Sequence, residues 1–311
     1  MKNHRHLPLL LVVTLAAALP WLLWSCRAIE RGADALADAT AGSGVSGVFR
    51  GTARMAEGFR DYSPSEEHYI GRAVAAEILS RFKAHKDERL DEYVNLLGLA
   101  VVYSAPNARQ TFSGYHFTVI EGEEPNAISA PGGFVFVTIG ALRRASNEDE
   151  LAAVLAHEVA HVTLQHGIGA IKSATRKRSA ALLVQGAGQT AADVAREGGS
   201  QNAQAVELAG LLASGVTDIT STLLDTGYSR KQEIAADALA AEYLKASGHS
   251  RAALASYLKR LGGGGGDGGW LATHPPAEDR IKELGALAKD DSVSPKTGFA
   301  IREKRFLAAR G

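Results

Sequence analysis

Apolar residues fill most positions of the segment from Glu150 to Gly167, which reads ELAAVLAHEVAHVTLQHG. Asn147 and Glu150 have the spacing of a capping box, in which two side chains satisfy the first free backbone N–H groups of a helix. The pattern therefore predicts a helix that begins after Asn147. Because apolar residues lie on most of its faces, we expect this helix to be buried in a protein core, where its few polar side chains need partners.

Shorter patterns surround this helix. Helical spacing predicts two helices near residues 64–84 and 87–103. Alternating apolar and polar residues predict a strand from Tyr115 to Ile120, and an apolar run after a pair of glycines predicts a second strand from Phe134 to Thr138. Together these elements indicate a mainly helical α+β domain with a small sheet beside the apolar helix.

The polar residues within the apolar helix are His157, Glu158 and His161, in the run HEVAH. A helix advances about 100° per residue, so two residues four positions apart lie on the same face. The two imidazoles can therefore bind one Zn²⁺, and Glu158 can take a proton from a water molecule beside them. The alternative is a solvated amphipathic helix that carries these residues by chance, and the apolar surroundings argue against it.

A catalytic zinc site needs a third protein ligand and an open position for water. His166 lies five residues after His161 and points away from the ligand face, which favours a structural or surface histidine. Glu233 and Asp237 are better candidates because they share one face of a helix that begins after Ser229. We expect Glu233 to be the third ligand and Asp237 to hold a ligand histidine in place. An exposed acidic stripe is the alternative for this pair.

With these motifs the chain resembles the zinc metallopeptidases of family forty-eight, the gluzincins that include HtpX, BepA, the mitochondrial inner-membrane stress protease and the CAAX prenyl protease. Their pattern is HExxH followed on a later helix by ExxxD, which residues 157–161 and 233–237 match. Two further stretches match, NAISAPGGFVFVTIGAL at 126–142 and HPPAEDRI at 274–281. The resemblance implies a zincin-type domain that hydrolyses peptide bonds, with one Zn²⁺ per chain held by His157, His161 and Glu233.

The expected mechanism gives roles to the residues around the reacting carbonyl. Glu158 would accept a proton from the attacking water and pass it to the leaving amine. The resemblance favours catalytic roles for His274 and Arg280, which would stabilise the oxyanion, and Tyr228 is a further candidate donor. His274 could instead occupy the open position of the zinc in a resting state.

The strand that follows the glycine pair is a candidate site for binding substrate. In metallopeptidases of this type an edge strand commonly pairs with an extended substrate through main-chain hydrogen bonds, which do not depend on the amino-acid sequence of the substrate. We expect that role for the strand residues Gly133, Phe134, Val135, Phe136 and Val137. A plain core strand is the alternative.

The N-terminus has the pattern of a targeting segment. Lys2 and Arg5 precede an uncharged stretch at residues 7–24, whose length lies between that of a signal peptide and that of a membrane span. Positive charge before the stretch predicts that the N-terminus stays in the cytoplasm and that the rest of the chain lies on the other side of the membrane. Cys26 is the only cysteine, and the run LWSC that ends with it resembles a bacterial lipobox. A lipidated Cys26, an uncleaved anchor at 7–24 and ordinary cleavage all remain open.

Composition then divides the chain into four parts. Residues 27–60 are rich in Ala, Gly, Ser and Asp, which is typical of a tether, and the chain becomes polar and basic after about residue 290. The predicted parts are a signal, lipoprotein signal or membrane anchor at 1–26, the tether at 27–60, the zinc metallopeptidase domain at 61–290 and a polar basic tail at 291–311.

The formal net charge is zero, and no basic stripe interleaved with aromatic residues is present, so nucleic acid is not expected as a partner. The leading function is a membrane-associated zinc endopeptidase that faces the periplasm of a bacterial cell envelope and acts on unfolded or misassembled proteins. The alternative is a latent or non-cleaving metal-bound chaperone for envelope proteins. Glu158 argues against that alternative, because metal binding alone does not require its carboxylate. A purely structural zinc site would normally use four Cys or His ligands.

Overall fold

The computed structural model describes residues 60–186, 216–262, 270–274, 277–287 and 296–310. The predicted signal or anchor at 1–26 lies outside the described residues, and so does the predicted tether apart from Arg60. The chain divides into two compact units, one of residues 62–171 and 210–311 and the other of residues 1–61 and 172–209. All the predicted site residues belong to the first unit. No helix among the described residues is long and apolar enough to cross a membrane.

The part of the chain that the structure describes is mainly helical with one small sheet, which confirms the predicted fold class. Three strands form the sheet: β1 (His116–Ile120), β2 (Ala127–Ala130) and β3 (Phe134–Thr138). The main helices are α1 (Pro64–Arg81), α2 (Glu88–Ser104), α3 (Ile139–Arg144), α4 (Glu148–Thr163), α5 (His166–Gly186), α6 (Arg230–Ala246), α7 (Ala252–Gly262), α8 (Trp270–Thr273), α9 (Ala277–Leu287) and α10 (Lys296–Arg310).

Polar side chains start the helices where the sequence predicted. The Ser63 hydroxyl accepts the Glu66 N–H, and the Glu66 carboxylate accepts the Ser63 N–H, so α1 has a complete capping box. At the start of α4, Asn147 Oδ1 accepts the Glu150 N–H at 3.0 Å. The Glu150 carboxylate accepts a hydrogen bond from the Ser146 N–H instead of from the Asn147 N–H. The predicted capping box is therefore only half formed, by the bond from the Glu150 N–H to Asn147.

The sheet has the order β1–β3–β2, with β1 parallel and β2 antiparallel to β3. Phe136 of β3 therefore lies between Thr118 of β1 and Ile128 of β2. Because β3 is the central strand, both of its edges are already paired, and it has no free edge for a substrate. The predicted substrate strand was therefore wrong for Phe134, Val135, Phe136 and Val137, which are paired on both sides, and Gly133 lies in the turn before the strand. The edge strand that contacts the predicted site is β2.

The apolar helix α4 is buried along almost its whole length, as its composition predicted. Helix α6 packs against it, and α2 and α7 also contact it. Both α4 and α6 bury alanines that are completely inaccessible to solvent, and these small side chains let the two backbones approach closely. The alanines are Ala153, Ala156 and Ala160 of α4 and Ala236, Ala240 and Ala241 of α6.

The C-terminal residues described as α10 form a helix that packs on the start of α4, where the sequence had indicated only a polar basic tail. Phe306 of α10 is buried in the core. Three buried acidic residues in the first turn of α4 each pair with an arginine from later in the chain: Glu148 with Arg305, Asp149 with Arg302 and Glu150 with Arg260. Acidic groups also suit the positive end of the helix dipole there. Two of these arginines belong to α10 and one to α7, and together they hold the N-terminus of α4 in place.

Candidate metal centre

Four side chains from three segments converge at the buried end of α4. Helix α4 supplies His157 and His161, α6 supplies Glu233, and His274 follows directly after α8. One ligand atom from each residue lies within 4.8 Å of the ligand atoms of the other three, and all four side chains are buried. The structure therefore brings together the three ligands predicted from the sequence, with His274 as a fourth member.

The donor atoms fit one small cation. His157 Nε2 and His161 Nε2 lie 3.0 Å apart, and each is 3.4 Å from a Glu233 oxygen. Two nitrogens bound to one tetrahedral zinc with Zn–N bonds of about 2.0–2.1 Å would be separated by roughly 3.3 Å. Glu233 Oε1 is buried and, within the residues that the structure describes, has no hydrogen-bond partner, which would be costly unless a cation satisfied it. Two imidazoles and one carboxylate are the donor types that zinc prefers.

Asp237 and Arg280 stand behind these donors. Asp237 Oδ1 lies 3.0 Å from His157 Nδ1, on the opposite side of the ring from Nε2. Arg280 binds both oxygens of Asp237 at 2.7 Å, and its Nη1 is 3.1 Å from Glu233 Oε2. Arg280 is completely buried and its guanidinium is engaged by these carboxylates. This placement favours a positioning role for Arg280 over the catalytic role suggested by the sequence.

The electrostatics of the group favour a bound positive charge. Burial lowers the pKa of His157, but its contacts with Asp237 and Glu233 outweigh this effect and raise the pKa to about 9. Burial raises the pKa of Glu233, but His274 and His157 lower it far below its ordinary value. Burial and the neighbouring His157 lower the pKa of His161 well below its ordinary value, so this ring is neutral, as a metal ligand must be.

Glu158 lies beside the four-residue group and is fixed by a residue of the sheet. Ser129 of the edge strand β2 donates its hydroxyl to Glu158 Oε2 at 2.8 Å. Glu158 Oε1 is buried, has no hydrogen-bond partner among the described residues and lies 3.8 Å from His274 Nε2. One carboxylate oxygen is therefore held in place while the other faces the group. This leaves Glu158 able to accept a proton there.

Tyr228 covers the other side of His161. The two rings stack with centroids 4.4 Å apart and an interplanar angle of 21°. The Tyr228 hydroxyl is buried and has no hydrogen-bond partner in the described part of the chain, and burial raises its pKa well above the ordinary value. The hydroxyl is therefore protonated and can donate one hydrogen bond to a group that enters the site.

Two aromatic contacts complete the enclosure. Trp270 is buried, with its ring edge-on to His157 at 5.3 Å and tilted against His274 at 5.0 Å. His166, the histidine that the sequence placed off the ligand face, has its Nδ1 at 3.0 Å from His161 Nδ1. Burial lowers the pKa of His166 to about 4, so its ring is neutral beside His161. His166 thus contacts a predicted ligand from behind, and it is not one of the four converging residues.

The model of peptidase family M48 matches residues 87–288, about two thirds of the chain. The chain belongs to peptidase family M48. The predicted family and the predicted enzyme class, a zinc metalloendopeptidase, are thereby confirmed. M48 metallopeptidases use zinc, and the group of His157, His161, Glu233 and His274 could hold such an ion.

Relatives of this M48 peptidase include the beta-barrel assembly-enhancing protease of Escherichia coli strain K12, which is 29% identical over 64% of this chain and 38% of the relative. The protein of the same name from Yersinia pestis is 31% identical over 56% of this chain and 33% of the relative. The mitochondrial metalloendopeptidase OMA1 of Schizosaccharomyces pombe is 28% identical over 60% of this chain and 50% of the relative. The chain spans half or less of the length of each of these relatives.

Sequence reasoning missed Ser129 as a functional residue of this M48 site. Its contact with Glu158 joins two residues that are 29 positions apart, and nothing in the local pattern around Ser129 indicates it. One signal was available: Ser129 lies within the stretch at 126–142 that resembles the segment before the catalytic helix in the family.

Proposed function

We propose that this M48 peptidase is a membrane-associated zinc endopeptidase that hydrolyses peptide bonds in unfolded or misassembled proteins of the bacterial cell envelope. The position of Glu158 carries the proposal. Its carboxylate is buried beside the four-residue group, with Oε2 bound by Ser129 and Oε1 without a hydrogen-bond partner. A general base needs such a free oxygen at the reaction centre.

His157, His161 and Glu233 would hold the zinc. Bound zinc would supply a Lewis acid for the peptide carbonyl and would make water a better nucleophile near neutral pH. Asp237 Oδ1, at 3.0 Å from His157 Nδ1, would accept a hydrogen bond from the N–H at that position and so leave Nε2 unprotonated as the metal-binding atom. Arg280 would keep Asp237 charged and in position through its paired hydrogen bonds.

Glu158 would move the proton. Oε1 accepts it from the attacking water and releases it to the nitrogen of the leaving amine, while the Ser129 hydroxyl keeps Oε2 in place. The reacting carbonyl oxygen needs a hydrogen-bond donor as negative charge develops on it. The Tyr228 hydroxyl is a candidate because it is buried and has no partner. His274 is the second candidate, since its Nε2 lies on the Glu158 side of the group.

An extended substrate would pair with strand β2 rather than with β3. Strand β2 is at the edge of the sheet, and its Ser129 contacts the proposed base. Main-chain pairing with an edge strand recognises any extended peptide, which suits an enzyme that cleaves unfolded proteins.

The proposed location rests on two supports. Relatives of the chain carry the name beta-barrel assembly-enhancing protease, and the sequence has a charged N-terminus followed by an apolar stretch at 7–24 and by Cys26. A protein anchored by that stretch or by a lipid on Cys26, with its peptidase domain facing the periplasm, would meet envelope proteins before they are assembled.

The test is cleavage of denatured casein by the purified, zinc-loaded full-length chain, beside a Glu158→Gln variant with the same measured zinc content. We expect the first to cleave and the second to lose about 10²–10⁴-fold of the rate, because the general base is gone. Equal cleavage by both would reject Glu158 as the base. No cleavage by either, with zinc bound, would favour the alternative function.

That alternative, a latent enzyme or a chaperone that holds envelope proteins without cutting them, has one observation in its favour. His157, His161, Glu233 and His274 are each at most 4% exposed, so the site is closed in this conformation. If the chain is a chaperone, its Glu158→Gln variant should protect a denatured client from aggregation as well as the wild-type chain does. If it is a protease, the variant should lose cleavage of the client.

A further inference from the structure

The His161 ring meets a second histidine on the side away from the proposed zinc. The ring would bind zinc through Nε2, which lies 3.0 Å from His157 Nε2 and 3.4 Å from Glu233 Oε1. On the opposite side, His161 Nδ1 lies 3.0 Å from His166 Nδ1. His166 is buried, with 9% of its surface exposed, and no step of the proposed mechanism uses it. Its position behind a proposed ligand indicates a role for it.

The proposed zinc determines which of these two rings donates the hydrogen bond. A neutral imidazole that binds a metal through Nε2 carries its proton on Nδ1. His161 Nδ1 is therefore the donor, and His166 Nδ1 accepts the hydrogen bond with its lone pair. His166, which is also neutral, then carries its own proton on Nε2.

The two proposed histidine ligands of α4 thus have partners of different kinds. Asp237 Oδ1, on a charged carboxylate, lies 3.0 Å from His157 Nδ1. His166 offers His161 a neutral nitrogen at the same distance. A partner on the far nitrogen of a ligand histidine fixes the tautomer and the direction of the ring. The hydrogen bond to His166 can therefore do for His161 what Asp237 does for His157.

The stacked ring of Tyr228 cannot replace this hydrogen bond. Its centroid lies 4.4 Å from that of His161, and the two planes differ by 21°. A stacked ring holds the plane of the imidazole, but it places no acceptor at the ring edge. It therefore does not determine which nitrogen carries the proton, and His166 supplies that selection.

A break in the backbone brings His166 to this position. Because a helix advances about 100° per residue, five residues of continuous helix would turn His166 roughly 140° away from His161. Helix α4 ends at Thr163, and Gln165 adopts a left-handed conformation with φ 54° before α5 begins at His166. This conformation is uncommon for a residue with a side chain. The break explains why sequence spacing predicted a histidine that points elsewhere.

The left-handed conformation of Gln165 is held by a distant part of the chain. Its Nε2 donates a hydrogen bond to Glu67 Oε1 of α1, 98 positions away. Glu67 is buried, and both of its oxygens accept hydrogen bonds from Arg109. The Arg109 N–H in turn lies 3.3 Å from the Thr163 hydroxyl at the end of α4. Strained conformations persist where the surroundings fix them in this way.

We propose that His166 is a positioning residue of this peptidase, whose Nδ1 accepts the hydrogen bond of His161 Nδ1–H and keeps Nε2 of that ring directed at the zinc. The proposal rests on the proposed function, because the zinc site is part of it. The turn at Gln165 is the backbone feature that places His166 behind His161.

Two substitutions of His166 separate the hydrogen bond from simple packing. Asparagine is smaller than histidine but carries an oxygen acceptor near the place of Nδ1, whereas phenylalanine keeps the size of the ring and has no acceptor. The zinc affinity of the full-length chain and of each variant is measured by competition with a chelator. We expect His166→Phe to lose about 10–100-fold in affinity and His166→Asn to stay close to wild type. A role in packing alone would give the opposite order.

His249 provides a matched control. It is also a buried histidine, 4% exposed, and it lies near Glu148 at the other end of α4. Its Nδ1 is hydrogen-bonded to the Ser247 hydroxyl. His249→Phe and His249→Asn should therefore change the stability of the fold and leave zinc affinity as in wild type.

Wild-type zinc affinity in His166→Phe would overturn the proposal, and so would weaker binding by His166→Asn than by His166→Phe. If His166→Phe does not fold, His166→Ala is the variant without an acceptor and should bind zinc more weakly than His166→Asn. Casein cleavage by the wild-type chain separates the two inferences. If casein is cleaved and His166→Phe keeps its zinc affinity, the positioning role is wrong and the peptidase stands. If the affinities follow the expected order but casein is not cleaved, the positioning role stands and the proposed activity is wrong.

Discussion

Arg280 and Asp237 form a paired ionic contact that is hidden from solvent: two nitrogens of the guanidinium bind the two carboxylate oxygens at 2.7 Å. The other side of the same carboxylate contacts His157 Nδ1. Arg280, in the first turn of α9, is thus connected through Asp237 to a proposed metal ligand on α4. The contact fixes the orientation of the His157 ring from behind.

Removing this arginine should weaken both folding and metal binding. Arg280→Ala would leave a buried carboxylate without its partner, and we expect a loss of about 3–5 kcal/mol in the free energy of unfolding. Zinc affinity should fall about 10–100-fold, as happens when the partner of a ligand histidine is disturbed. Denaturant unfolding and competition with a zinc chelator measure the two effects.

Two variants control this prediction. Asp237→Asn keeps the shape but removes the charge, so it should lower zinc affinity even if Arg280→Ala fails to fold. Arg81→Ala removes an arginine from an exposed pair with Glu77 and should change stability by about 0–1 kcal/mol. Wild-type zinc affinity in both Arg280→Ala and Asp237→Asn would show that the contact does not position His157.

His274 should restrain the enzyme in its resting state. Its Nδ1 lies 2.9 Å from Glu233 Oε2 and 3.4 Å from His157 Nε2, so the ring occupies the place where a fourth ligand would stand. We expect His274→Ala to raise the basal rate of casein cleavage by opening that place to water. The same substitution combined with Glu158→Gln should show no increase. Lower or unchanged cleavage in His274→Ala would favour a catalytic role for His274 instead.

The parts of this site that depend on local sequence were predictable. His157, Glu158 and His161 follow from the period of one helix, and Glu233 and Asp237 follow from the period of another. The family resemblance then supplied the expectation that the two helices meet. The starts of helices were also predictable from capping residues such as Ser63, because the hydrogen bonds of a cap span only three residues of the chain.

The parts that depend on long-range pairing were not predictable. Alternation identified β3 as a strand but could not reveal that β2 pairs with its other edge, so the substrate strand was assigned wrongly. The contact between Glu148 and Arg305 spans 157 positions, and a basic segment gives no indication of which acidic residues it will meet. Strand order and ion pairs of this kind are decided by the packing of the whole core.

Stability in acid should depend on Glu148. Burial raises the pKa of this carboxyl, but contacts with Arg305, His249 and Tyr93 outweigh it and lower the pKa to about 2. Because the folded-state pKa lies below the unfolded value of about 4.3, this carboxylate stabilises the fold above that value, and the contribution is lost as the pH falls towards 2.

We therefore expect Glu148→Gln to unfold at a lower temperature than the wild-type chain at pH 7 and to lose less stability than wild type between pH 5 and pH 2. Thermal unfolding across that range measures both effects. Glu77→Gln, which alters an exposed carboxylate, serves as the control and should follow the wild-type curve. Parallel acid curves for Glu148→Gln and wild type would contradict the role of Glu148.

Gly227 should determine the position of Tyr228. Its φ is 69°, and a Cβ there would lie 2.0 Å from the carbonyl oxygen of Thr273, so both the backbone conformation and the space require glycine. Gly248 has a similar φ of 74° but no atom within 4 Å of a Cβ, which makes it a matched control. Gly248→Ala should cost about 1–2 kcal/mol through backbone strain alone.

Gly227→Ala adds a collision with Thr273 to the strain of a positive φ, and its ψ of −179° is itself a conformation that essentially only glycine adopts, so the backbone there must move. Tyr228, which follows Gly227 in the chain, is stacked on His161. Thr273, the residue that the added Cβ would meet, directly precedes His274. We expect Gly227→Ala to lose more stability than Gly248→Ala and, unlike Gly248→Ala, to reduce zinc affinity. Unfolding by denaturant and competition with a zinc chelator measure the two quantities. If Gly227→Ala matched Gly248→Ala in both, the turn at Gly227 would not be what holds Tyr228 against His161.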